Sequence, residues 1–183
     1  MNTIEQQLLL RLARQSIQSG LNTGRPLRID IGQYPETLTV QRATFVTLEK
    51  QHQLRGCIGM LEAVRPLVVD IIENAFSAAF RDPRFPPLAE HELAGLTIHL
   101  SILSPAESLT FDTEQELISK LRPGIDGLIL TEQGHKGTFL PSVWDSIKDP
   151  VQFLRHLKQK AGLKPDYWSA TLKIERYTAE YIK

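Results

Sequence analysis

Apolar residues recur every three or four positions in four segments of the chain, and this spacing predicts amphipathic helices. The predicted helices cover residues 3–20, 66–82, 113–121 and 149–162. Thr3 and Gln6 form a capping-box pattern at the start of the first helix, and Asp112 is the expected N-cap of the third. Gly20 and Gly162 are expected to end the first and last helices, because glycine tolerates the left-handed backbone that follows many helices.

Alternation of apolar and polar residues predicts strands in other segments. These strands cover residues 44–49, 54–59, 96–103, 127–131, 137–140 and 171–177. The first two are expected to pair around a short loop, and the fourth and fifth around a loop of five residues at 132–136. Helices and hairpins interleave without a regular strand–helix–strand rhythm, so the predicted class is α+β, mainly an antiparallel sheet with flanking helices. No repeat or linker interrupts the pattern, and residues 1–183 are expected to form a single domain.

The charge balance of the chain bears on its partners. The chain contains 21 Lys and Arg residues and 21 Asp and Glu residues, so its formal net charge is zero. A neutral chain lacks the long-range attraction that draws proteins to nucleic acid or to anionic lipid. We therefore expect neither nucleic acid nor a membrane among the partners.

The chain has a single cysteine, Cys57. A lone thiol excludes a disulfide within the chain and favours a reducing compartment. No uncharged apolar stretch reaches the ~20 residues of a membrane helix. Arg11 also interrupts the apolar run near the N-terminus that a signal peptide would need. The expected location is the cytoplasm.

Compact motifs of common enzyme and cofactor sites are missing. The sequence lacks glycine-rich phosphate loops, paired histidines or cysteines at zinc-ligand spacing, and the Gly-x-Ser-x-Gly nucleophile elbow. We therefore predict no metal and no cofactor, while residues distant in the sequence remain able to assemble a site.

The segment Leu-Arg-Gly-Cys-Ile-Gly at residues 54–59 is the strongest candidate for chemistry. In a strand, Arg55 and Cys57 share one face. Gly56 and Gly59 leave backbone amides open to an anion, and a nearby guanidinium favours the reactive thiolate, which makes Cys57 the candidate nucleophile. The alternatives are that Cys57 packs as a small hydrophobic residue and that the glycines serve only a bulge or a turn.

Residues 81–84 supply further candidate ligands. Arg81 and Arg84 are expected to add positive charge to an anion-binding site, with Asp82 beside them. The alternative is a helix C-cap followed by a simple Asp–Arg pair.

Three polar residues elsewhere in the chain each have two interpretations. Asp126 is either a turn former or a site carboxylate, and Lys160 either complements the dipole of its helix or reaches the site. We retain both as candidate ligand-binding residues. His99 points away from the aliphatic face of its strand and is expected to be an ordinary polar residue.

Residues 54–59 also resemble the hallmark string of the AMMECR1 family. Further blocks that match this family, in the same order, lie at residues 45–48, 78–85, 126–128, 137–141 and 160–163. The chain departs from the family pattern at Ala43, where a glycine is expected, and at Met60, where a small polar residue is expected.

The resemblance implies a two-lobed α+β fold with a cleft between the lobes, and an activity that is not established. It also implies association with a Memo-like protein and a radical-SAM protein, as protein A of the AmmeMemoRadiSam system. The predicted function is an anion-binding cleft around residues 55–57 and 81–84, in an enzyme or enzyme component that uses Cys57. The alternative is a non-catalytic accessory or scaffold protein that presents the same surface to those partners.

Overall fold

A computed structural model describes residues 1–183, and the chain divides into two compact units. The first comprises Met1–Leu103 and Glu180–Lys183, and the second comprises Ser104–Ala179. In chain order the helices and strands are α1 (Thr3–Thr23), α2 (Glu36–Thr39), β1 (Thr44–Lys50), β2 (Gln53–Gly59), α3 (Leu67–Phe80), β3 (Leu96–Leu103), β4 (Glu107–Ser108), α4 (Glu114–Lys120), β5 (Gly127–Glu132), β6 (His135–Phe139), α5 (Pro150–Lys160), β7 (Lys173–Tyr177) and β8 (Ala179–Ile182). Helices accompany two four-stranded antiparallel sheets, which confirms the predicted α+β class.

The first unit packs α1 and α3 against a sheet with the strand order β2-β1-β3-β8. Alternate residues of the two central strands, among them Val46, Leu48 and Leu100, point into this core and are completely buried. Full burial of such a side chain contributes about 1.5–3 kcal/mol. The alternation therefore determines which face of the sheet packs on the helices and which face carries the polar side chains.

The hairpin of β1 and β2 contains an irregularity beside the cysteine. Thr47 lies opposite Cys57, but the register then shifts so that Glu49 lies opposite Leu54. Arg55 is therefore the additional residue of a β-bulge. This agrees with the alternative interpretation that the glycines of this strand serve a bulge.

Both β-hairpins close with two-residue turns. Gln51 and His52 join β1 to β2 with φ values of 51° and 62°. Gln133 and Gly134 join β5 to β6 with φ values of 45° and 87°. Positive φ at both central residues is the mark of a type I′ turn, whose twist matches that of the flanking strands. The five-residue loop predicted for the second hairpin is wrong, because strand pairing continues up to the two turn residues.

The second unit packs α4 and α5 against a sheet with the strand order β4-β7-β5-β6. Phe153 of α5 lies at the centre of its core: the ring stacks on Trp144 with centroids 3.7 Å apart and meets Phe139 edge-on at 5.2 Å. As predicted, Asp149 caps α5, and its side chain accepts a hydrogen bond from the backbone N–H of Gln152.

The two ends of α1 differ from the expectation. Asn2 caps the helix, one residue before the predicted cap, and Glu5 completes the capping box. The helix continues through Gly20 and ends at Gly24, whose φ is 70°. A Cβ at Gly20 would lie 2.2 Å from the ring of Phe80, so this glycine serves helix packing rather than helix termination.

Smaller differences occur elsewhere. Thr113, not Asp112, caps α4. The strands β4 and β8 have two and four residues, too few for a recognisable alternation, and the sequence did not predict them. Among the helices, none is both long enough and apolar enough to cross a membrane.

Candidate functional site

Cys57 lies in β2, an edge strand of the sheet in the first unit, and side chains bind its backbone on the open side of that strand. The Cys57 N–H donates to Asp82 Oδ2 at 2.9 Å, and the Cys57 carbonyl accepts from Arg84 Nη2 at 3.2 Å. A carboxylate and a guanidinium thus occupy the places of the carbonyl and the N–H that a further strand would supply. Because a free sheet edge recruits other strands, this arrangement also protects the edge at the motif.

Asp82 and Arg84, which we call the clamp, follow the end of α3. Asp82 accepts hydrogen bonds from Arg84 Nε at 2.9 Å, from Arg84 Nη2 at 2.6 Å and from the Arg84 backbone N–H at 3.1 Å. The side chain of Asp82 is only 2% exposed, whereas that of Arg84 is 54% exposed. The Arg84 guanidinium, together with the N–H groups of Cys57 and Arg84, holds the pKa of Asp82 well below its usual value.

Arg55 is bound within the first unit by a second carboxylate. Its Nε and Nη2 donate to the two carboxylate oxygens of Glu92 at 3.0 and 2.9 Å, and Nη2 also donates to Pro86 O at 3.0 Å. Glu92 accepts further bonds from the Ala89 N–H at 3.0 Å and from Lys50 Nζ at 3.2 Å. These donors, with Arg55 first, hold the pKa of Glu92 well below its usual value. Arg55 Nη1 is buried and has no hydrogen-bond partner.

Gly56 and Gly59 are points of close backbone approach. A Cβ at Gly56 would lie 2.2 Å from Ala78 O of α3, and a Cβ at Gly59 would lie 2.3 Å from Thr44 O. Neither position has room for a side chain. Because the Cys57 N–H points to the open edge, the alternation of an antiparallel pair turns the Gly56 N–H toward β1. The Gly56 N–H is therefore directed to the pairing of β2 with β1.

The Cys57 thiol is half-buried, on the face of the sheet opposite α3. Its Sγ lies 3.2 Å from Thr47 Oγ1. The pKa of Arg84 is raised first by its hydrogen bond to Asp82, and further by the charges of Asp82 and of a Cys57 thiolate. A cation beside a thiol favours the thiolate, which is the nucleophilic form. Of the two clamp residues, Arg84 is the cation, and its guanidinium is bound to the Cys57 backbone.

An aromatic side chain lies near both bound arginines. The Phe85 ring centroid is 5.9 Å from Arg55 Cζ and 5.6 Å from Arg84 Cζ. Arg81 is exposed, caps α3 with its backbone N–H, and places its Cζ 4.9 Å from the centroid of the Phe76 ring. Residues 81–84 thus form the helix end and the Asp–Arg pair of the alternative interpretation, and the pair is also bound to Cys57.

Asp126 and Lys160, the two remaining candidates, belong to the second unit. The completely buried carboxylate of Asp126 accepts from Arg122 Nε and Nη2 at 2.9 and 2.6 Å and from the Arg122 N–H at 2.9 Å. Its carbonyl accepts from Trp144 Nε1 at 2.7 Å. Lys160 is exposed in the last turn of α5, with Nζ 5.1 Å from the centroid of the Phe139 ring. These are the contacts of a turn carboxylate and of a lysine that complements a helix dipole.

Within the first unit, the structure therefore brings together a half-buried thiol, one half-exposed guanidinium and a second guanidinium bound in the interior. No group of three or more His, Cys, Asp or Glu side chains is arranged to hold a metal ion. Arg84 and Arg81 are the exposed arginines at this end of α3, and Arg55 fixes the hairpin to the segment that follows it.

Comparison with known proteins gives the family. The AMMECR1 family model matches residues 10–182. This chain belongs to the AMMECR1 family. A relative from Methanothermobacter thermautotrophicus is 37% identical over 182 residues, which cover 96% of this chain and 92% of the relative. Protein MJ0810 of Methanocaldococcus jannaschii is 38% identical over 95% of this chain and 87% of its own length.

One solved structure has a closely similar fold. The crystal structure of the uncharacterized protein PH0010 from Pyrococcus horikoshii matches with a TM-score of 0.85 and 35% identity. The match covers 95% of this chain and 88% of that one. The names of these relatives state no activity.

Sequence reasoning missed two residues of this AMMECR1 site, Glu92 and Thr47. Glu92 lies 37 positions from Arg55, and no local pattern joins them. The register of the predicted hairpin could have indicated Thr47, because this residue lies in the predicted partner strand. A regular hairpin around the predicted loop would pair Thr47 with Gly56, however, and only the bulge brings Thr47 opposite Cys57.

Proposed function

We propose that this AMMECR1-family protein binds an anionic small molecule beside Cys57 and acts as an enzyme or enzyme component that uses the Cys57 thiol. The observation that carries the proposal is the position of Arg84. Its guanidinium is half exposed and is bound to the Cys57 carbonyl. A cation so placed both attracts an anion and favours the thiolate.

The arginines have different roles in this proposal. Arg84 and Arg81 are the cations that meet the anion from solvent. Arg55 keeps the hairpin in place through its ion pair with Glu92, and its buried Nη1 has no hydrogen-bond partner. Asp82 orients Arg84 and fixes the backbone of Cys57, so both members of the clamp position the thiol.

Two alkylating reagents of similar size test the anion site. Iodoacetate is anionic and iodoacetamide is neutral, so the ratio of their rates at Cys57 measures the local potential. We expect this ratio, relative to the urea-denatured chain, to be raised by about fivefold or more. Arg84→Met should return it to the denatured value, Arg84→Lys should retain most of it, and Arg25→Met, at an exposed arginine elsewhere in the unit, should leave it unchanged.

Two outcomes would contradict this proposal. If Cys57 reacts only after unfolding, the thiol is a structural residue and has no part in catalysis. If folded Cys57 reacts with both reagents in the ratio of the denatured chain, the arginines create no anion site at the thiol.

As a second candidate, we propose a non-catalytic accessory role with a Memo-like protein and a radical-SAM protein. The observation that favours it is that Arg55 and Arg84 are each already paired with a carboxylate of the same unit, Glu92 and Asp82, which leaves Arg81 as a cation without an ion pair. Copurification of tagged protein with those two partners tests this role. We expect Arg81→Ala and Arg84→Ala to lose the complex and Cys57→Ser to retain it; an unchanged complex in both arginine variants would reject this surface.

For either role we propose a cytoplasmic location. The half-buried free thiol of Cys57 supports it, because such a group survives unmodified in a reducing compartment. Fractionation of the source cells tests the location, and recovery with the periplasmic or extracellular fraction would contradict it.

A further inference from the structure

Three polar side chains form a row across the sheet of the first unit. Thr47 of β1 lies directly opposite Cys57 of β2 on one side and His99 of β3 on the other. The neighbouring residues Val46 and Leu48 point into the helix-covered core, so the row lies on the opposite face of the sheet. The thiol and the imidazole are therefore separated by a single hydroxyl-bearing strand.

His99 is held by one ring nitrogen and open at the other. Its Nε2 lies 3.1 Å from Glu49 Oε2, while its Nδ1 is buried and has no hydrogen-bond partner. An ionised carboxylate only accepts hydrogen bonds, so Nε2 carries the hydrogen. In the neutral ring Nδ1 is then the unprotonated nitrogen, a base with a free lone pair. The buried lone pair of Nδ1 is unusual, because buried polar atoms are nearly always paired.

Thr47 links the thiol to this base. Its Oγ1 lies 3.2 Å from Cys57 Sγ. Side chains directly opposite each other in adjacent antiparallel strands have Cβ atoms about 4.5–5.5 Å apart. With Oγ1 in this contact with Sγ, the Thr47 hydroxyl reaches His99 Nδ1 through one bridging water.

We propose that Thr47 and His99 form a proton relay that activates Cys57. The thiol proton passes to Thr47 Oγ1 while the Thr47 hydroxyl proton passes through the bridging water to His99 Nδ1. One S–H bond breaks, one N–H bond forms, and the threonine ends as it began. The products are a Cys57 thiolate and a His99 imidazolium, and the Glu49 carboxylate stabilises the imidazolium through Nε2.

This inference rests on the proposed function, and adds to it the group that takes the proton. Arg84 stabilises the thiolate but accepts no proton, because a guanidinium stays protonated in proteins. The charged groups of the neighbouring strand edge and loop are engaged in ion pairs: Asp82 with Arg84, and Glu92 with both Arg55 and Lys50. A nucleophile, a base and a carboxylate that orients the base form the arrangement by which thiols are activated elsewhere.

The neutral reagent iodoacetamide tests the relay without involving the anion site. We expect His99→Gln and Thr47→Val to lower the alkylation rate of Cys57 at about pH 7 by at least about fivefold. Near pH 10 the rates should converge, because hydroxide then ionises an ordinary thiol with its pKa of about 8.5 without help. Thr47→Ser should retain the wild-type rate, and His52→Gln at the exposed hairpin turn is the matched histidine control.

The outcomes separate the relay from the anion site. A rate for His99→Gln within about twofold of wild type at about pH 7 overturns the relay and makes His99–Glu49 a structural cross-strand pair. If the preference for iodoacetate persists in that variant, the proposed anion site stands without the relay. If wild type lacks that preference and His99→Gln still slows alkylation, the relay stands and the anion site fails. Thermal unfolding of each variant shows whether a slower rate reflects lost structure instead.

Discussion

Gly56 lets α3 approach β2 so closely that Ala78 O occupies the space of a missing side chain. This approach brings the end of α3, and with it Asp82, within hydrogen-bond distance of the Cys57 N–H. At the scale of the residue, the position of the clamp therefore depends on the glycine that precedes the cysteine. The same glycine has its amide turned toward β1, so its contribution to the site is packing.

Replacing Gly56 with alanine tests this dependence. We expect Gly56→Ala to lower the free energy of unfolding by about 2–4 kcal/mol, because the new Cβ meets backbone that has no free rotamer to adopt. Gly95→Ala is the matched control: its Cβ would meet nothing within 4 Å, and a change of at most about 0.5 kcal/mol is expected. Urea unfolding of both variants gives the comparison, and equal stabilities would show that α3 moves away at little cost.

At the scale of the element, the β1–β2 hairpin carries local strain in its turn. Gln51 and His52 both adopt positive φ, and neither is a glycine. For most residues with a side chain this backbone costs roughly 1–2 kcal/mol each. The type I′ turn is nevertheless kept, because it delivers the twist that the flanking strands need. The bulge that brings Thr47 opposite Cys57 lies next to this turn.

Relief of the turn strain should stabilise the hairpin. We expect the double substitution Gln51→Asn with His52→Gly to raise the free energy of unfolding by about 1–2 kcal/mol, since Asn-Gly is the preferred type I′ pair. Gln133→Asn in the second hairpin, where Gly134 already occupies the other position, should gain less, about 0.5 kcal/mol. Urea midpoints at constant m-value measure both effects. A loss of stability in the double variant would mean that the Gln51 or His52 side chain makes a contact that contributes more free energy than the backbone strain costs.

At the scale of the whole molecule, stability depends on buried carboxylates in ion pairs. Arg84 lowers the pKa of Asp82 and Arg55 lowers the pKa of Glu92, relative to the unfolded chain. A lowered folded-state pKa contributes stability above the unfolded-state values of about 3.9 for Asp and 4.3 for Glu. That contribution is lost as the pH falls through this region toward the lower folded-state pKa.

The acid limb of the stability curve should therefore be steep. We expect the free energy of unfolding to fall between about pH 5 and pH 2, and Asp82→Asn to be less stable at neutral pH but less sensitive to acid. Asp166→Asn, at an exposed turn position, should follow the wild-type curve. Urea unfolding at several pH values measures this dependence. An Asp82→Asn curve parallel to wild type would remove Asp82 as a source of acid sensitivity.

Local patterns in the sequence determined most of the elements. The limits of β3 follow from its alternation, and the Asp149–Pro150 pair marks the start of α5. Both signals are contained within a few neighbouring residues and survive whatever packs around them. The resemblance to the AMMECR1 family also rested on residues that the sequence displays directly. The predicted cap of α1 and the predicted role of Gly20 are wrong, because the choice between neighbouring caps and the role of a helical glycine depend on packing.

The tertiary structure alone decided how the candidate site is assembled. Asp82 contacts Cys57 across 25 positions of the sequence, and Glu92 contacts Arg55 across 37. The segments between them carry no periodic pattern from which these contacts could be predicted. A one-residue bulge selects which side chain of β1 meets the thiol, and slipping a strand by one residue exchanges its two faces. The sequence by itself thus identified a thiol and a set of arginines. Only the fold determined that two of those arginines are bound to internal carboxylates and that a threonine and a histidine lie in line with the thiol.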